Sequence, residues 1–444
     1  MAVAFELLEA GLEPEKLLVL EGARLPGGHI RTERVDGFTV EAGPNGFLDD
    51  SPPTLALAER LGLAPRLAAA DESAAVRFLF TRGRLRRLPA GPAGMLISGL
   101  LPLPGILRIF AEPLIPRGGH PEETVHDFAA RRIGRAAAAG LVDAMVSGVF
   151  AGDARALELR AAFPKMAAME AEHGGLVRAM IALKKRRRQD GQTGGGGPAG
   201  PGGHLTSFVD GFEELPRVLA ARLGPCLRTA AEATAVERGA AGWTVRLAGG
   251  EAVEAGTVVL ACPAPRAARL LSAVDARLAG ELGAIPLAGI AVVALGYAAA
   301  DVGRDLAGFG FLAPRGQGLR SLGCLWDSSI WPNRAPAGRV LLRAMIGGVS
   351  DPEAVDLADE ELVAIAAADL ERAMGLAARP VFVRVFRHRE GIAQYLPGHT
   401  ARLGRLRDLL AARPGLLLSG SSYGGISVNH CVAEAADIAR RALG

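Results

Sequence analysis

Cysteine is scarce in this chain. Its four residues, Cys226, Cys262, Cys324 and Cys431, stand far apart, with no C-x-x-C spacing and no neighbouring histidine pair. That excludes a disulfide framework and a zinc cluster, and no metal site is expected. An excess of one charge sign is also missing. The net charge of +3 creates too weak a field to hold a nucleic acid, and no nucleic-acid partner is expected. Long apolar runs are absent too. The most apolar stretch, Leu88 to Pro116, is broken by Pro89, Pro92, Pro102, Pro104, Pro113 and Pro116. It never offers the roughly 20 uninterrupted apolar residues of a spanning helix. Such a stretch can lie on a membrane but is not expected to cross it. The opening residues MAVAFELLEAGLEPEK have no basic start and carry Glu6 and Glu9 in their apolar part, unlike a secretory signal. A reducing, cytoplasmic location is expected, with peripheral attachment to the cytoplasmic membrane allowed.

What is present is a globular composition long enough for two or three domains, half apolar and 22% charged. With 58 glycines and abundant Ala and Arg, single glycines and arginines carry little weight, so only ordered combinations count. Val3, Leu7 and Leu8 share one helical face, and Gly11 stops that helix. KLLVLE, Lys16 to Glu21, reads as a buried parallel strand ending in an acid. A dinucleotide-binding βαβ unit runs strand, glycine turn, helix, strand; here the unit starts at its helix. From Thr54 to about Arg188 the pattern is mostly helical. Lys184 to His204, a basic run followed by a Gly/Pro-rich tract, reads as a flexible surface loop. Beyond it come a helix at Leu215 to Leu223 and strands at Trp243 to Leu247, Ala252 to Cys262 and Ile290 to Tyr297. Further strands are expected at Leu341 to Ile346 and Val381 to Phe386, flanking a helical Ala354 to Met374. GLLLSG, Gly415 to Gly420, opens a final strand, turn and helix.

Glu21 ends its strand where an acid can accept hydrogen bonds from ribose hydroxyls; alone, such an acid is usually a solvated terminus. It is followed by ARLPGGHIRT, Ala23 to Thr32, in which Gly27 and Gly28 let the backbone approach a ligand and Arg31 can reach a pyrophosphate. EAGPNGFL, Glu41 to Leu48, then supplies a turn of small residues, which in isolation would be an ordinary hairpin. In this order the three resemble the FAD-dependent, monoamine-oxidase-like superfamily, and within it the protoporphyrinogen oxidase family. The cues for the narrower resemblance are GPNGF at Gly43 to Phe47, VSGVFAGD at Val146 to Asp153 and RAAFPKM at Arg160 to Met166. WDSSIWPNRAP at Trp326 to Pro336, AQYLPGH at Ala393 to His399 and GSSYGGISVNHC at Gly420 to Cys431 complete them, so that nearly the whole chain is covered.

The resemblance implies an α/β fold: a discontinuous FAD-binding Rossmann-like domain, an α+β substrate domain and a helical membrane-associated domain. The boundaries it suggests are 1–75, 205–265 and 387–444 for FAD binding, 76–188 for the helical domain, 189–204 for the loop and 266–386 for substrate. FAD would be held by Glu21, Gly22, Gly27, Gly28, His29, Arg31, Gly43, Pro44, Asn45, Gly46, Ala233, Ile426, Ser427 and Val428. Arg77, in VRFLF, would pair with a substrate propionate. The implied reaction is stepwise oxidation of a porphyrinogen in heme biosynthesis, with dioxygen returning the cofactor to its oxidised form and a homodimer allowed. Because the cofactor carries the chemistry, no catalytic side chain is expected; His120, His126, His173, His388 and His399 are expected to be structural or exposed. Coproporphyrinogen as substrate, another oxidase of the superfamily, and a flavin-free porphyrin-binding protein are the alternatives. One departure stands out: His430 occupies the position where the family has an acid, a poorer cap for the last helix. The strand and glycine loop that precede the first helix in the family would lie upstream of Met1, and a late-assigned start is the favoured explanation over a real truncation. Their absence is expected to leave strand edges unpaired and the first helix partly uncovered.

Overall fold

A computed structural model of the chain describes residues 1–89, 91–189, 203–240 and 242–444, with the side chains of 92–93 and 187–189 outside the description. Its largest element is a seven-stranded sheet in the order Phe382–Ala393, Leu287–Ala298, Arg339–Gly347, Ser321–Leu325, Gly310–Leu312, Phe78–Thr81, Arg84–Arg87. Side chains alternate across this sheet. Ala291, Val293, Leu295 and Tyr297 point to one face together with Leu342, Ala344 and Ile346, where they pack on Leu362, Ala366 and Leu370 of the helix Asp359–Met374. The opposite face carries Leu341, Arg343 and Phe382, and meets Phe38 and Val40 of the flanking hairpin Thr32–Val35/Phe38–Glu41.

The hairpin Phe78–Thr81/Arg84–Arg87 corrects the expectation of a mostly helical stretch from Thr54 to Arg188. Arg82 and Gly83 both have positive φ, 53° and 73°, the turn that fits the twist of a two-residue hairpin. Phe78 and Leu79 then pair in parallel with Phe311 and Leu312, across more than two hundred residues of chain. The basic residues Lys184 to Arg188 belong to the helix Leu176–Gln189 rather than to a loop; of the glycine-rich tract, residues 190–202 lie outside the described residues. Ala252 to Cys262 divides into Ala252–Ala255, in a three-stranded sheet, and Val258–Leu260, in another.

Outside the large sheet are two separate parallel pairs, Val19–Leu20 with Leu227–Arg228 and Val258–Leu260 with Leu416–Leu418. The expected strand Lys16 to Glu21 is thus shorter, because Pro14–Lys16 forms a 3-10 turn before it. The first helix, Ala2–Glu9, is partly covered, with Val3 and Leu8 half-buried. Ala4, Phe5 and Leu7 are buried, Phe5 packing with Leu57, Phe208, Phe212 and Val432. Among the described residues no helix is long and apolar enough to cross a membrane. The short helices Pro92–Ile97 and Leu103–Phe110 nevertheless leave Leu96, Ile97, Leu103, Leu107 and Phe110 exposed, with Leu114 just beyond them.

Candidate functional site

Glu21 follows the strand Val19–Leu20, and its backbone is bonded on both sides to the Leu227–Arg228 segment: Glu21 N to Arg228 O at 2.9 Å and Ala231 N to Glu21 O at 2.9 Å. Its carboxylate accepts Ala23 N at 2.8 Å, which leaves acceptor capacity for further donors. Gly22 lies against Glu232; a Cβ there would meet Glu232 Cβ at 3.4 Å. Beside it is a groove of about 540 Å³ lined by Gly22, Arg24, Arg228, Ala231 and Glu232 among others. Ala233 begins the adjoining strand. The acid, the groove and Ala233 are therefore neighbours, although some 210 residues separate them in sequence.

Gly27 and Gly28 have φ of 119° and 61°. Gly27 packs on Pro216, where a Cβ would come within 3.0 Å, whereas Gly28 faces open space with nothing within 4 Å. One glycine thus serves packing and the other an unobstructed approach. Arg31 is exposed, its carbonyl accepting Ala42 N at 2.8 Å. That bond draws the Gly-Gly segment against the second turn. A Cβ on Gly43 would stand 2.4 Å from His29 O, and one on Gly46 the same distance from Thr206 O, so neither position tolerates a side chain without backbone movement. Pro44 is exposed between them. Asn45 Nδ2 is buried with no protein partner, a donor left free at the turn.

Behind this turn lies a charged cluster that local sequence patterns do not reveal. Arg343, 1% exposed, is held by Asp327 through Nε at 2.8 Å and Nη2 at 3.2 Å. Its Nη1 donates to Glu41 O at 2.9 Å and Gly43 O at 2.7 Å. The Glu41 carboxylate accepts Thr32 Oγ1 at 2.7 Å and Phe212 N at 2.9 Å. Burial pushes this carboxyl above its ordinary range, while those hydrogen bonds and the nearby Arg334 and Arg343 act in the opposite direction. Arg334, fully buried, donates to Val209 O and Phe208 O at 3.0 Å each. The cluster ties the turn to the large sheet. Arg343 and Asp327 were missed from sequence because they lie about 300 residues from Gly43, and Asp327 and Arg334 stand within a motif that announces no partner.

His388 also meets this region. Its Nε2 is 2.7 Å from Ala42 O, so that nitrogen carries the proton, and its ring lies edge-on to His29 with centroids 4.8 Å apart. His29 exposes part of its surface, yet the protein around it, followed by His388, lowers its pKa to about 4. It is neutral at physiological pH.

At the C-terminal turn, Tyr395 Oη donates to Ser421 O at 2.6 Å, and His399 stacks on Tyr395 at 4.3 Å. The AQYLPGH and GSSYGG segments are thereby one packed unit. The last helix spans Val428–Leu443, and Ser427 caps it by accepting His430 N at 3.2 Å. His430 is therefore not the cap. Its ring fills the space over Gly424 and Gly425, where a Cβ would approach within 2.5–2.6 Å. Ile426 packs against the core behind Tyr395 and Tyr423. Asn429 fixes the helix start, accepting Thr54 Oγ1 at 2.7 Å and donating to Leu48 O at 2.8 Å.

Arg77 lies apart from these groups, at the start of the strand Phe78–Thr81. Its guanidinium is over the Phe309 ring at 4.9 Å, its Nε is buried without a partner, and burial lowers its pKa. Among the described residues no cluster of His, Cys, Asp and Glu could hold a metal.

Residues 1–443 match the family model described as flavin containing amine oxidoreductase. A coproporphyrinogen III oxidase of Bacillus subtilis is 28% identical over 97% of this chain and 93% of its own length. A chloroplastic protoporphyrinogen oxidase of Oryza sativa is 32% identical over 94% of this chain and 81% of its own. Among solved structures, one named as a protoporphyrinogen oxidase from Exiguobacterium sp. 255-15 superposes with a TM-score of 0.83 at 25% identity, covering 99% of this chain and 95% of that one.

Proposed function

From the premise that this chain belongs to the flavin-containing amine oxidoreductases, we propose that it oxidises a porphyrinogen, with protoporphyrinogen IX as the favoured substrate and FAD as cofactor. The residues present fit a flavin. Asn45 offers an unused buried donor, Gly28 faces open space, and Glu21 keeps free acceptor capacity beside the nucleotide-sized groove. Gly22, Gly27, Gly28, His29 and Arg31 would line one side of the cofactor, and Gly43, Pro44, Asn45, Gly46, Ile426, Ser427 and Val428 the other, with Ala233 at the nucleotide end.

FAD, when bound, supplies the hydride acceptor. The chain's own contribution is to hold and shield. Glu21 would accept the ribose hydroxyls, and the amide-rich start of Val428–Leu443 would favour negative charge on its ligand. Neutral His29 adds no charge beside the turn, and the carbonyls of Glu41 and Gly43 are kept in place by Arg343. Arg77 would receive a substrate carboxylate. Dioxygen is the acceptor in this reading, and the exposed Leu96, Ile97, Leu103, Leu107 and Phe110 would rest on a membrane surface from which an apolar macrocycle enters.

The observation that carries the proposal is the half-buried Arg77, whose Nε is buried without a partner, on the same sheet face as Arg343, which buttresses the turn. The coproporphyrinogen-oxidising relative makes coproporphyrinogen III the second reading. Purified chain supplied with FAD should oxidise protoporphyrinogen faster than the spontaneous reaction, measured by porphyrin fluorescence. Bound flavin without such acceleration for either porphyrinogen would refute the substrate assignment.

A further inference from the structure

We propose that Arg86 joins Arg77 to form a clasp for two neighbouring carboxylates of the substrate, a proposal that rests on the porphyrinogen reading above. Leu79 pairs directly with Arg86 in the hairpin Phe78–Thr81/Arg84–Arg87, so the two share a face, and Arg77, two residues before Leu79, shares it as well. That face is identified by its neighbours. Leu79 packs with Leu101, Ile106 and Leu312, whereas Phe80, on the other side, packs in the cluster of Leu342 and Ala344. Arg77, Leu79 and Arg86 consequently look the same way as Leu341 and Arg343, the residue that holds the Gly43 turn. Three strand spacings separate the strand Arg339–Gly347 from Phe78–Thr81, about 14 Å across the sheet, a span suited to a large macrocycle reaching from the turn to the hairpin.

The two arginines differ from Arg131, Arg132, Arg315 and Arg343, each of which bonds a carboxylate. Arg304 and Arg334 also carry a buried Nε without a partner, but Arg304 lies over Phe78 and Trp326 on the opposite face and Arg334 donates to Val209 O and Phe208 O. Arg77 and Arg86 have no acidic side chain within salt-bridge distance among the described residues, and the Nε of each is buried without a partner. Among the described residues the one bond of the Arg86 side chain is a long one, Nη1 to Ser98 O at 3.3 Å. Gly99, with φ of 64°, leaves it room, because a Cβ there would stand 2.3 Å from that nitrogen. Both residues are half-buried, and a buried guanidinium N–H without a partner is unfavourable unless an anion completes it. Two such guanidinium groups, diagonal to each other on one hairpin face, match two carboxylates carried by adjacent rings of one ligand. Carboxylate recognition is thereby divided between two residues, and Arg86 is a specificity-determining contact rather than a surface charge.

The test uses the full chain and two probes, protoporphyrin IX and its dimethyl ester, titrated by fluorescence. The wild-type chain should bind the diacid more tightly than the ester. Arg86→Gln should weaken the diacid about tenfold, as expected for one lost charge-assisted hydrogen bond, and leave the ester unchanged. Arg86→Lys should recover part of the loss, and Arg77→Gln combined with Arg86→Gln should bind both probes alike. Equal weakening of both probes by Arg86→Gln would assign the residue to structure and overturn the clasp, as would an unchanged diacid preference. A wild-type chain that binds neither probe would instead defeat the porphyrinogen reading itself, and the clasp with it.

Discussion

In the large sheet, Leu287–Ala298, Arg339–Gly347 and Phe382–Ala393 run side by side for 12, 9 and 12 residues, and their ladders are continuous but for one bulge. In the part of the chain that carries Glu21 and the Gly43 turn, the parallel strands are two or three residues long and come in two separate pairs. The first region is cohesive through its backbone. The second depends on the buried Arg343, Asp327, Arg334 and Glu41 and on the half-buried Asn429, which bind its turns to the sheet and to each other. Substitutions in the two regions should therefore fail in different ways.

The largest effect is expected at Arg343. Arg343→Met leaves Asp327 buried without its partner and removes the donor from Glu41 O and Gly43 O, costing about 3–5 kcal/mol in urea unfolding. Removing both charges, Arg343→Met with Asp327→Leu, should recover much of that stability but not the flavin content, because the turn is still unheld. Leu342→Ala, on the helix-covered face of the sheet, should cost about 2–5 kcal/mol. Its bound-flavin spectrum should remain that of the wild type, and an equal loss of flavin in the two variants would erase the contrast.

Much of the second region was legible from sequence because its signals are local. An apolar run ending in Glu21, the Gly27-Gly28 pair and the small residues from Gly43 to Gly46 each declare a turn or a strand end without help from distant residues. Trp243–Leu247 was read without error, and the strands around Ile290, Leu341 and Phe382 were found but too short, since burial continues beyond the apolar run. The hairpin at Phe78–Arg87 was not legible. Its partner strand, Gly310–Leu312, is three residues long, and nothing in either segment specifies the other. For the same reason the link from Arg343 to Gly43 and the approach of His388 to His29 could not be read from periodicity. The worry over His430 was misplaced because the cap is Ser427, a residue already assigned to the cofactor.

Smaller effects sharpen the account of the last helix and of His29. Ser427→Ala should cost about 1 kcal/mol through the lost cap, seen as a lower thermal midpoint, whereas His430→Asp should change that midpoint little if the ring over Gly424 and Gly425 is the more important contact. For His29 the sign is fixed by a folded pKa of about 4, below its ordinary value of 6.5. The unfolded chain binds this proton more readily, so stability is lost as the pH falls through the window between those values. His29→Gln should flatten that part of the stability profile, and an unchanged slope would show that the imidazole titrates normally.

The most direct test of the central claim is an anaerobic mixing experiment with the FAD-supplied chain and protoporphyrinogen, following flavin and porphyrin absorbance together. With the chain in more than threefold molar excess over porphyrinogen, the account predicts that three flavins bleach for each porphyrin formed, because the six-electron oxidation needs three two-electron acceptors when dioxygen is absent, and that Arg77→Gln slows the bleaching at limiting substrate. A flavin band that stays unbleached while porphyrin appears only at its spontaneous rate would contradict it.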